Sequence, residues 1–89
     1  MGYRAVFDEK VERILPEVER RVMARYRGVV GVREAFKAND RQRLHLLVHL
    51  RSDRSFPYSL TSRHIMEEDV GEMVTSIVWA VARLEQGVI

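Results

Sequence analysis

The sequence predicts an α+β domain of order α-β-β-α: a ferredoxin-like half in which two helices pack on one face of a β-hairpin, a two-layer sandwich. Three observations carry this reading. An apolar stripe at helical spacing runs from Val6 to Tyr26, strict alternation fills Val29 to Arg51, and a second, wider stripe runs from about Arg63 to Gln86. With 89 residues there is room for one core, so 1–89 is read as a single domain.

In the first helix, Phe7, Val11, Ile14, Leu15, Val18, Val22 and Tyr26 recur at steps of three and four. Charged residues fill the other faces, with Glu17–Arg21 and Glu9–Arg13 as i,i+4 pairs in the favourable order. Pro16 removes one ladder bond, and because the stripe keeps phase across it, a kink is expected rather than two helices. Gly28 is the expected stop.

The hairpin is read as Val29–Lys37 and Arg43–Arg51, joined by the turn formers Ala38, Asn39 and Asp40. Alternation puts Val30, Val32, Glu34 and Phe36 on one face of the first strand and Leu44, Leu46, Val48 and Leu50 on the core face of the second. The opposite face then carries Arg33, Lys37, Arg43, His45, His49 and Arg51 around Ala35 and Leu47. Ser52–Ser62 reads as a polar connection rather than a third strand, because Pro57 cannot donate to a ladder. Thr61 or Ser62 caps the second helix, Glu67, Glu68 and Asp69 suit the positive end of its dipole, and Gly87 stops it. Trp79 falls beside the apolar stripe. A sheet of two strands is marginal alone, and its free edges invite a second subunit or a strand from another chain.

Composition narrows the function classes. The chain is 46% hydrophobic and 31% charged with a net charge of +2, which by itself does not demand a polyanionic partner. Without cysteine there is neither a disulfide nor a thiolate nucleophile. A signal peptide and an apolar run of spanning length are both lacking, so a soluble, cytoplasmic protein is expected. With no Gly-rich phosphate loop and no nucleophile elbow either, the chain is read as a non-enzyme.

Two residue sets remain as candidate sites. His64, Glu67 and Glu68 are neighbours at i, i+3 and i+4 on a helix, where imidazole and carboxylate could hold a divalent ion. His45 and His49 would suit zinc on a helix, but on a strand they stand about 13 Å apart. The basic face of Arg33, Lys37, Arg43, His45 and Arg51 could track phosphates, although by this reading it lacks aromatic residues on which bases stack.

Gly28-Val29-Val30-Gly31-Val32 after a helix, a strand ending Leu47-Val48-His49-Leu50, and His64-Ile65 opening a helix with Val70 and Val74 resemble the soluble cytoplasmic domain of cation diffusion facilitator zinc transporters. The resemblance covers roughly Arg21 to Val81. It implies a ferredoxin-like fold that dimerises and binds Zn²⁺ or another divalent cation. His49 matches the family's strand-two ligand and His64 its helix ligand; Glu67 or Glu68, read from their spacing beside His64, would join them across a subunit interface. Arg33 stands where the family has a first-strand histidine, and the family's last strand has no counterpart before Ile89. The expected function is therefore a homodimeric interaction or regulatory module that senses metal. The alternatives are a nucleic-acid-associated protein using the basic face, or a structural subunit docking a protein partner through Trp79 and the helix faces.

Overall fold

In the computed structural model, which describes residues 2–39 and 41–87, the first stripe winds a single helix, α1 (Tyr3–Arg25), that continues through Pro16. Phe7, Val11, Ile14, Val18 and Val22 are its buried side. Asp40, assigned to the predicted turn, lies outside the described residues. Three strands follow, β1 (Val29–Phe36), β2 (Arg43–Leu50) and β3 (Ser55–Thr61), in one antiparallel sheet of order β1-β2-β3. Two helices close the described chain, α2 (Ser62–Met66) and α3 (Val70–Glu85).

The third strand corrects the expected loop. Ser55–Thr61 pairs with β2 along its whole length, with Leu60 opposite Leu44, Tyr58 opposite Leu46 and Phe56 opposite Val48. Pro57 is tolerated because β3 is an edge strand, where a missing N–H costs no ladder bond.

The second correction is the break between α2 and α3, where a single helix was expected. Glu68 has a left-handed backbone, φ 53°, and Asp69 caps α3 by accepting a hydrogen bond from the Glu72 amide at 3.2 Å. Glu68 is held there by Lys10 and Arg13 of α1, both donating to its carboxylate. The acidic run thus serves as a corner and a cap rather than as the first turn of one long helix.

The third correction concerns phase. β1 carries irregularities between Val29 and Gly31 and between Glu34 and Phe36, and each inserts one residue against β2. Val29 rather than Val30 is therefore buried, and Phe36 is turned to the face opposite the core. Gly28 does not adopt a left-handed backbone; it is needed for space, since a Cβ there would stand 2.5 Å from Glu85 Oε1 and 2.6 Å from Tyr26 Cε1. Gly87, at φ 70°, does end α3.

The core lies between helices and sheet. The buried side of α1 meets Val29, Val32, the row Leu44, Leu46, Val48 and Leu50, then Leu60, Ile65, Met73, Val74, Ile77 and Val81. α1 packs against β1 and α3. No helix among the described residues is long and apolar enough to cross a membrane.

Candidate functional site

Ladder register assigns the sheet face opposite the core row by row. Gly31, His49 and Ser55 form one row, Arg33, Leu47 and Pro57 the next, Phe36, His45 and Ser59 the third, and Arg43 with Thr61 the last. The two histidines are fixed across strands, His45 Nδ1 standing 3.0 Å from Ser59 Oγ and His49 Nδ1 3.1 Å from Ser55 Oγ. Phe36 stacks on His45, with ring centroids 4.5 Å apart and planes 12° from parallel. It nevertheless remains 59% exposed.

Charge on this face has one sign. Glu34 is the single acid within the three strands, and it is turned inward to Arg41. Arg33 and Arg43 are exposed on the face, and at its end Arg51 donates through Nε to the Arg27 carbonyl. Arg33 also lies 3.5 Å from Glu19 at the sheet edge while keeping 74% of its side chain in solvent. Lys37 departs from the expected set. The residue inserted before Phe36 shifts the phase, and Lys37 lines the groove between α1 and β1, which Arg33 also borders from the sheet edge.

That groove, about 390 Å³, has an apolar floor of Val11, Leu15, Pro16 and Val32 and ends at Arg41. Arg41 was not singled out by the sequence, yet it is 1% exposed. Its Nε donates to Asp8 and its Nη1 to Glu34, each at 2.7 Å, and its guanidinium lies 4.6 Å from the centroid of the Phe7 ring. Burial is the largest single influence on its pKa and acts downward, but Glu34 and Asp8 together outweigh it and hold the pKa above the ordinary value. Tyr3 donates to the Arg41 carbonyl, and Arg41 itself has φ 51°. The cluster fastens the β1–β2 connection to the start of α1, which is a structural task. Nη2 has no partner among the described residues.

The sheet edges are both blunted. On β1 the Val32 amide donates to the Glu19 carboxylate at 2.9 Å, so a side chain takes the position of a neighbouring strand's carbonyl. On β3 Pro57 presents no N–H. Each of these residues opposes the addition of a further strand at its own edge.

The residues proposed for metal do not converge within one chain. His49 pairs with Ser55 at the far end of β3 from Thr61, roughly 20 Å by strand rise from the start of the α2 corner. His64 lies on α2 with its Nδ1 2.9 Å from Thr61 Oγ1. Glu67 pairs with Arg63, and Glu68 with Lys10 and Arg13. Hydrogen bonds from Arg13 first, then Lys10, pull the Glu68 carboxyl down to about 2. His64 and Glu67 do line one concavity, with Asp69 and Glu72. Among the described residues no group of three or more His, Cys, Asp or Glu is close enough to hold an ion.

Two features were beyond sequence reasoning. Phe36 on the outer face follows from a bulge that alternation does not reveal, and Arg41, beside the turn, carries no local mark of its burial. Trp79 is exposed as expected, at 61%, with the Arg83 guanidinium 4.5 Å from its ring centroid. Comparison with protein families, curated proteins and solved structures yields no match, so the functional reading rests on the geometry of this chain.

Proposed function

We propose that this chain is a small non-catalytic binding module, a two-layer α+β sandwich whose uncovered sheet face takes a nucleic acid. The observation that carries the reading is the segregation of charge. The outward strand positions hold Arg33 and Arg43, with Arg51 at the end, and no Asp or Glu. Most of the acids sit elsewhere, on α1, around the α2–α3 corner, at the end of α3 and in the turn at Asp53, and Glu34 of β1 is turned inward. A net charge of only +2 therefore understates the field at this face, where Glu19, beside Arg33 at the β1 edge, is the acid that adjoins the cations. Leu47, Pro57 and Phe36 supply apolar surface between the cations, as sugars and bases require.

The test is fluorescence anisotropy with labelled DNA at rising salt. Three cations engaging phosphates give a slope of log affinity on log salt of roughly −2, at about 0.7 per phosphate for a single strand. Binding at about 50 mM salt that weakens on this slope, and that the double variant Arg33→Ala, Arg43→Ala loses, is the expected result. Absence of binding at low salt, or binding indifferent to salt, overturns the proposal.

A further inference from the structure

Resting on that reading, we infer that the nucleic acid is taken as an unpaired strand and that Phe36 and His45 form the platform on which one of its bases stacks. Phe36 is a large apolar side chain left 59% exposed in a chain with a well-filled core. The irregularity between Glu34 and Phe36 delivers it to the outer face, where its ring lies nearly parallel to His45. His45 is itself held by Ser59, so one residue from each of the three strands orders the platform. Such fixing matters, because an aromatic surface already set in place loses little freedom when a flat ligand settles on it.

The surroundings suit a nucleotide. Arg43 lies two positions along β2 on the same face, within reach of a phosphate beside a stacked base. Leu47 and Pro57, in the adjoining row with Arg33, offer an apolar floor for the next sugar or base. A base can lie on Phe36 only if its own flat face is free. In a duplex both faces of each base are covered by neighbours, and the platform is then useless. Charge alone would accept duplex and single strand alike, whereas the platform discriminates between them.

The experiment compares fluorescein-labelled oligothymidine of about 12 nucleotides, within the site sizes of single-strand modules, with the same oligonucleotide annealed to oligoadenine. The whole chain is used, as wild type, Phe36→Ala, Phe36→Trp and Arg33→Ala. Phe36 is exposed, so its replacement leaves the core untouched; circular dichroism verifies this, and Phe36→Leu serves if the alanine variant melts early. The expected result is tighter binding of the single strand, a loss of roughly tenfold to hundredfold in Phe36→Ala, and retention in Phe36→Trp. Equal affinity for both probes with Phe36→Ala unchanged and Arg33→Ala weakened overturns the platform and leaves the charge-based reading standing. Failure to bind either probe at low salt overturns both.

Discussion

Arg41→Met is the most demanding test of the packing described above. The guanidinium is 1% exposed and holds two carboxylates, Asp8 with 34% of its side chain in solvent and Glu34 with 16%. Removing one partner of a buried ion pair costs about 3–5 kcal/mol, chiefly because the remaining charge is stranded. Here both acids reach some water, Asp8 more than Glu34, which lowers the expected cost to about 2–3 kcal/mol. Methionine matches the stem but loses the guanidinium over the Phe7 ring, a loss of about 0.5–1 kcal/mol that is contained in this range. At about 4–8 °C per kcal/mol for a domain of this size, the melting temperature falls by roughly 10–20 °C. Far-UV circular dichroism in urea and on heating measures the change. The triple variant Asp8→Asn, Glu34→Gln, Arg41→Met recovers most of the loss, because no charge is then left unpaired. If Arg41→Met unfolds within about 0.5 kcal/mol of the parent, the range of an ordinary surface substitution, the reasoning is refuted.

Two further predictions concern the corner and the edges. The Glu68 carboxyl is held down to about 2 from an ordinary 4.5, so its contribution to stability is complete above 4.5 and is lost as pH falls through about 2. Urea midpoints followed downward from neutral pH should drop less steeply in Glu68→Gln than in the wild type over that window, and parallel curves would remove Glu68 as a clamp. Glu19→Ala frees the Val32 amide on β1, and Pro57→Val restores a donor on β3. The double variant should sediment as a larger species than the parent, and unchanged sedimentation would show that these residues do not guard the edges.

The helices and the middle strand were legible because each has one buried side at a regular period. Phe7 to Val22 repeats at steps of three and four, and Leu44 to Leu50 alternates without interruption. β1 was legible only in its middle. Its two inserted residues change phase without any compositional mark, so alternation alone puts Val30 and Phe36 on the core face, where the structure has Val29 buried and Phe36 outside. Pro57 argued against β3 by a rule that holds for central strands, and edge position cannot be read before the sheet order is known. The break at Glu68 depends on Lys10 and Arg13, 58 and 55 residues away, and Arg41 depends on Asp8 and Glu34 in the same manner. Side chains that meet only after folding leave no local pattern. Alternation places Arg33, Arg43 and His45 on the outer face, but not the Phe36 ring that stacks on His45 there.

The connections also impose an order in time. β1, β2 and β3 are joined to their neighbours by short turns, so their pairing closes loops of a few residues and can form within microseconds. The contact of Glu68 with Lys10 closes a loop of 58 residues and is expected among the last events. During synthesis α1 precedes every element it packs against, and its row of Phe7, Val11, Ile14, Val18 and Val22 stays uncovered until β1 and then α3 have been made. Charged residues on the other faces of that helix favour its solubility over this interval, before Asp8, Lys10, Arg13 and Glu19 find their partners.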